Sequence, residues 1–188
     1  MLRAAWALKA AGMDAAFDIL LDELDLTLGQ DGPLRAEWLL LSAYRFYPQI
    51  DIMMPLLKKA ALLFDGKSSQ VIIPDAPWCF GDYSQMAVFH RKPGEADREA
   101  DALEEFISLY SRLTGGHGSG ADALFRAELA HYRGDLKQAE ILAYKAIFLA
   151  EGNRQSIVQL GATLHLCEIA VEKSSFGEWQ SALNSMEH

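Results

Sequence analysis

The amino-acid sequence predicts an all-α chain, an array of antiparallel helix pairs with roughly nine helices. Between punctuating Gly and Pro residues, apolar side chains recur at intervals of three and four, the period of a helix with one buried face. Small residues gather where two helices would cross closely, Ala127 and Ala130 on one side and Ala139, Ala143 and Ala146 on the other. Arg133-Gly134-Asp135 supplies a sharp reversal between those two runs. A helix pair of this kind buries its apolar faces only when about three or more such pairs stack.

In chain order, the first helix spans about Leu2 to Ala10 and stops at Gly12. Asp14 is placed to cap a second helix reaching Leu28, with Phe17, Leu20, Leu21, Leu24 and Leu28 facing inward. Pro33 suits the first turn of a third, whose Trp38, Leu41 and Tyr44 to Tyr47 form an aromatic-rich stripe before Pro48. A fourth runs from about Ile52 to Phe64. Residues 65 to 81 break the period with Gly66, Pro74, Pro77 and Gly81 around the extended-looking Val71-Ile72-Ile73. A connection this long is unusual inside a compact helical chain and is often functional.

Asp82 with Gln85 reads as a capping pair for a short helix ending near His90, and Pro93-Gly94 opens a long one. Its Ala96, Ala100, Leu103, Phe106, Ile107, Tyr110 and Leu113 keep one apolar face, and it ends in the glycine-rich run Gly115 to Gly120. The clearest repeat occupies 119–150. There Ser119 and Asp122 read as one capping pair, and Asp135 with Gln138 as the next, capping a partner helix that reaches about Ala150. The turn around Gly12 looks like an earlier, degenerate copy. Two further helices, Arg154 to Lys173 and Phe176 to about Met186, complete a single helical-repeat domain.

Composition narrows the function. With 188 residues and 51% hydrophobic content the chain buries a sizeable core, roughly 70% of its unfolded surface. A net charge of −9 opposes contact with a phosphate backbone, which requires clustered Lys and Arg. Cys79 and Cys167 are far apart and in apolar surroundings, so neither a disulfide framework nor a metal knuckle is expected, and a reducing cytoplasm is the natural compartment. No stretch has the length of a membrane span, so no membrane partner is expected.

The candidate chemistry is sparse. Trp78, Phe80 and Tyr83, brought together by the long connection, would wall an apolar pocket with His90 and Arg91 as polar contacts, or else would close the end of the core. His117, within the glycine run, reads as a ligand contact or pH sensor, or as a solvated loop residue or helix cap. The run itself cradles an anion or serves as a flexible reversal between two long helices.

Glu128 and His131 have the Glu-x-x-His spacing of a di-iron bundle, but a second copy in that order is missing and His165 and Glu168 occur in reverse. No metal ligand, cofactor or catalytic residue is therefore assigned, and Glu128 is read as pairing across a helix interface or as solvated. Ser119 lacks a Gly-x-Ser-x-Gly frame. Asp14, Asp18, Asp22 and Asp25 share one face of the second helix with no Lys or Arg between Lys9 and Arg35, a solvated face or a dock for a basic partner.

The runs Pro77-Trp78-Cys79-Phe80-Gly81, Phe89 to Glu95, Gly116-His117-Gly118, Ala127-Glu128, Arg133-Gly134-Asp135 and Ala139-Glu140 resemble the tetratricopeptide-like sensor region of MalT-like, LuxR-type transcriptional regulators. The resemblance covers about residues 33 to 186. It implies a middle segment of a longer chain whose ATP-binding switch and helix-turn-helix DNA-binding domains lie outside this sequence. No phosphate-loop pattern and no basic recognition helix occur here, and the large aromatics of the standard repeat are replaced by Ala123, Ala127 and Ala130.

On this reading the chain is the effector-sensing or protein-interaction region of such a regulator. An effector small molecule or partner protein would bind the repeat surface through Trp78, His90, Arg91, His117 and Glu128. The other domains of the same regulator would be its further partners, DNA would be met only through the absent domain, and the active state would self-associate. The alternative is a free-standing tetratricopeptide adaptor that holds peptide segments of partner proteins in a groove.

Overall fold

A computed structural model describes residues 1–74, 80 and 82–185. Among them ten α-helices and no strand occur, so the chain is all-α; the ten match the helices read one by one along the sequence, against the total of roughly nine. The helices are α1 (Leu2–Ala10), α2 (Asp14–Thr27), α3 (Pro33–Ala43), α4 (Ile50–Phe64), α5 (Gln85–Phe89), α6 (Ala96–Leu113), α7 (Ala121–Tyr132), α8 (Leu136–Gly152), α9 (Ser156–Glu172) and α10 (Phe176–Ser185). A single 3-10 turn, Tyr44–Phe46, continues α3. No helix among the described residues is long and apolar enough to cross a membrane. The chain divides into two compact units, Met1–Phe80 with Ser108–His117 and Gly81–Ile107 with Gly118–His188.

In the first unit α3 packs on α4, and α1 on both α2 and α3. Its centre is aromatic: Trp6, Tyr44, Phe80 and Tyr110 are buried, with Tyr47 stacked 5.1 Å from Phe80. The Tyr44 hydroxyl donates to that of Tyr110, which lies 2.7 Å from Nδ1 of His117. The long connection is tied down by the buried Glu37. Its carboxylate accepts from the Ser69 hydroxyl at 2.5 Å and the Gln70 N–H at 2.5 Å, while the N–H groups of Val71 and Ile72 donate to Ser69 Oγ. These bonds turn the backbone and seat Ile72 in the core, so the extended-looking triplet bends instead of pairing as a strand.

The four aspartates of the acidic face of α2 already have basic partners within the chain. Lys9 pairs with Asp14, Arg45 with Asp18 and Asp22, and Arg35 with Asp25. The cations come from α1 and α3 and from the turn after α3, which is why the absence of basic residues within α2 misleads. Asp14 is accordingly the first residue of α2 and does not cap it.

In the second unit α7, α8, α9 and α10 pack each on the next, and α7 also touches α9. The core cluster draws one small or aliphatic residue from each of the first three, Ala127, Ala143 and Leu166, with Ala182 of α10 packed against it. The reversals are alike. Gly134, Arg154 and Ser174, twenty residues apart, take left-handed φ values of +80°, +57° and +53°. The next N–H then returns to a carbonyl five residues back, Asp135 to Ala130, Gln155 to Ala150 and Ser175 to Ala170, at 2.9–3.0 Å. This is the Schellman closure, which satisfies carbonyls that a helix end otherwise leaves bare. The turn after α1 closes in the same way, Met13 N–H to the Leu8 carbonyl at 2.9 Å.

Of the expected capping pairs, Asp135 holds, accepting from the Gln138 N–H at 3.0 Å. At α5 the cap is Ser84, whose hydroxyl accepts from the Ala87 N–H, and Asp82 instead accepts from Ser84. At α7 the N-cap is Gly120, with no side-chain cap. The glycine run before it makes a backbone turn in which Gly115, Gly116, Gly118 and Gly120 all take positive φ.

Gly161 on α9 is where the segment before α5 leans on the helix. A Cβ there would lie 2.4 Å from the Tyr83 carbonyl oxygen and 3.1 Å from Leu124 Cδ2. Gly161→Ala is therefore expected to destabilise the fold by about 1–3 kcal/mol, overriding the better helix propensity of alanine. Gly152→Ala, where nothing lies within 4 Å, should instead stabilise by about 0.5 kcal/mol. Urea denaturation of both variants checks the opposite signs.

Candidate functional site: a polar cavity of the second unit

The close approach at Gly161 lays residues Tyr83 to Met86 beside α7 and α9, and an open cavity of about 490 Å³ lies among them. Its lining is Tyr83, Ser84 and Met86 from that segment, Glu128, His131 and Tyr132 from α7, and His165, Glu168 and Glu172 from α9. On α7, residues 128, 131 and 132 stand at i, i+3 and i+4, and on α9 residues 165, 168 and 172 stand at i, i+3 and i+7, so each helix presents a single face. Three carboxyl groups and two imidazoles thus converge with no Lys or Arg in the lining. Tyr83 and Tyr132, 53% and 84% exposed, stand at the rim.

Glu128 accepts from the Met86 N–H at 2.7 Å. Burial drives its pKa up to about 7, with the charge of Glu168 adding to the rise, against the hydrogen bonds of Met86, Ser84 and Gln85 that favour the ionised form. The imidazoles of His131 and His165 lie 4.8 Å apart, centre to centre. His131 Nε2 meets Glu172 at 2.9 Å and His165 Nδ1 meets Glu168 at 3.1 Å. Burial holds the pKa of His165 below the usual imidazole range, helped by His131 and opposed by Glu168. The cavity thus holds proton-exchanging groups close together and presents a negative lining suited to a cation.

Of the residues expected to bind a ligand, only Glu128 lies in this cavity. Trp78 falls outside the described residues. His90 is used structurally: its Nδ1 lies 2.5 Å from Glu99, which also accepts from the N–H groups of Arg91 and Lys92 and so locks the chain onto the first turn of α6. Burial opposes the charge on Glu99, but these donors outweigh it and lower its pKa. Arg91 contributes there through its backbone. His117 is neither solvated nor a ligand contact at this site; it is fully buried in the first unit beside Tyr110 and Trp6.

Phe80 belongs to the ring cluster of the first unit, and Tyr83 stands at the rim of this cavity. In the glycine run, the Gly118 N–H is satisfied by the Gln155 side chain at 2.8 Å. The run therefore does not offer that group to an anion.

His131, His165, Glu168 and Glu172 were not among the expected ligand contacts. The available signal was the stripe His165, Glu168, Glu172 at i, i+3 and i+7, read beside Glu128 and His131 without requiring the same order on both helices. No protein-family model, curated protein or solved structure matches the chain.

The protonated Glu128 carboxyl makes stability depend on pH. With its pKa raised from the ordinary 4.5 to about 7, its contribution is complete below pH 4.5 and is lost as pH rises through 7. The loss is on the order of 3 kcal/mol. Glu128→Gln, which keeps the acceptor for Met86, should flatten that interval and exceed the parent in stability at pH 8. Parallel denaturation midpoints from pH 5 to pH 8 would contradict it.

Proposed function

We propose that the chain is the sensing region of a bacterial transcriptional regulator of the MalT-like, LuxR type, taking up an effector rather than transforming one. The observation that carries this reading is the cavity itself, because three separate segments supply its walls: residues 83–86, α7 and α9. A ligand filling it touches all three and favours the arrangement in which they close on it. Such a ligand shifts a two-state equilibrium only by its difference in affinity for the states, and going from 1:99 to 99:1 takes about 5.5 kcal/mol. The helical-repeat pattern and the motifs between residues 77 and 140 add the family resemblance.

A second reading draws on a different surface. Ile141, Tyr144 and Phe148 are all exposed on α8 at i, i+3 and i+7. That apolar stripe suits a free-standing adaptor that docks an amphipathic peptide segment.

The two readings separate in the source cells. Peptides from residues 77–150 should be recovered from a polypeptide several times heavier than 20.8 kDa that also yields peptides of a helix-turn-helix. Recovery at 20.8 kDa would overturn the regulator and favour the adaptor. In the intact regulator, Glu168→Ala combined with Glu172→Ala should abolish the effector response while promoter binding without effector is retained. An unchanged response would remove the cavity from the sensing role.

A further inference from the structure

We propose that His131, His165 and Glu168, with Glu172 and Glu128 beside them, form a binding site for a divalent first-row transition-metal ion such as Zn²⁺. This names the ligand class of the cavity on which the sensing reading rests, and it replaces the expectation of no metal ligands drawn from the missing second Glu-x-x-His. What the order of residues in the sequence excludes, the packing of α7 and α9 restores. One ligand atom from each of His131, His165 and Glu168 falls within 4.8 Å of the others. Metal–nitrogen and metal–oxygen bonds of about 2.0–2.2 Å place such atoms roughly 3.3 Å apart, so side-chain rotation of about 1.5 Å closes the set. Glu168 and Glu172 are exposed and have the torsional freedom to make that movement.

Two independent observations point to a ligand here. First, His165 is 94% buried, being 6% exposed, and its Nε2 makes no hydrogen bond of good geometry. The Ala127 carbonyl approaches the ring without closing one. A buried imidazole nitrogen left in this condition costs free energy unless something else satisfies it. Second, the two exposed carboxylates of the lining, Glu168 and Glu172, are met there by imidazoles and by no Lys or Arg. Elsewhere the carboxylates of α2 and α6 are met by basic side chains, as Arg126 meets Asp101 and Glu104 and Arg133 meets Asp97. A cation supplies that missing compensation.

Two imidazoles with a carboxylate are the ligand types of catalytic zinc and of non-haem iron sites, and no thiolate joins the set. Ca²⁺ and Mg²⁺ prefer oxygen alone. Glu172, already hydrogen-bonded to His131, supplies a further carboxylate that orients the ring. The Glu-x-x-His pair on α7 and its reversed counterpart on α9 thereby acquire one shared purpose.

The full 188-residue chain, stripped with a chelator, is titrated with Zn²⁺ by calorimetry and with Co²⁺ by visible absorption. One ion per chain is expected, with Co²⁺ ligand-field bands and little competition from Mg²⁺ or Ca²⁺. Since loss of an outer partner alone costs 10–100-fold, His131→Ala and Glu168→Gln should each weaken binding by about 100-fold or more. Glu168 is exposed, so its variant is expected to fold, as circular dichroism will report, even if the histidine variants do not. His90→Ala, at the separate His90–Glu99 pair, should bind as the parent does.

No saturable binding, binding untouched by Glu168→Gln, or equal competition by Mg²⁺ would each overturn the site. The sensing reading fails by a different measurement. If the isolated chain binds Zn²⁺ as described but chelation and readdition leave promoter occupancy by the intact regulator unchanged, the metal site stands and metal sensing falls.

Discussion

The second unit depends on one constraint, the left-handed residue that ends each helix and lets the next N–H reach back five positions. Repeated at Gly134, Arg154 and Ser174, it makes each reversal three residues long and gives α8 and α9, each with its turn, a length of twenty. Reversals this short leave successive helices no choice but to pack on their neighbours. Small residues then allow them to approach closely, which is why Ala127 and Ala143 share a core with Leu166. Arg154 and Ser174 pay a modest steric cost for a conformation that glycine adopts freely at Gly134. The hydrogen bonds from Gln155 and Ser175 offset it.

From that geometry the cavity follows. Two reversals after α7 the chain returns beside it as α9, and the faces carrying 128 and 131 and carrying 165, 168 and 172 come to line one space. The remaining wall needs a backbone to come close to α9, and Gly161 is the residue that permits it. Glu128 is consequently held at an electrostatic compromise. The Ser84 hydroxyl and the backbone N–H groups of Gln85 and Met86 favour its charge, but burial outweighs them. Whatever filled this space would act on the same three segments.

The first unit solves a different problem with different means. Its polar residues are spent on fixing chain segments: Glu37 on the long connection, and Tyr110 and Tyr44 on the ring cluster that also encloses His117. His90 and Glu99 do comparable work within the second unit. Histidines that stand out in the sequence therefore divide into those that hold the fold and those that face the cavity. A Glu three residues from His131 and from His165 is the local mark of the second group, and position in three dimensions completes the distinction.

The sequence by itself determined the all-helical class and most helix limits. Apolar period, Gly and Pro act locally, and their effect does not wait on distant partners: α1 and the starts of α3 and α7 fall within a residue or two of where the punctuation places them. It also determined the Asp135 cap, a bond between residues three apart. Tertiary structure decided which charges are paired and which polar groups meet. The acids of α2 find Lys9, Arg35 and Arg45 on other elements. His117 enters a core assembled from α1, α3, α6 and residue 80. Glu128 and His131 acquire His165, Glu168 and Glu172 from a helix two turns of chain away. Hydrophobic periodicity is a property of a single helix and can be read along the chain. Electrostatic pairing falls off with distance in space and takes no account of order along the chain, so its outcome becomes legible only once the helices are packed.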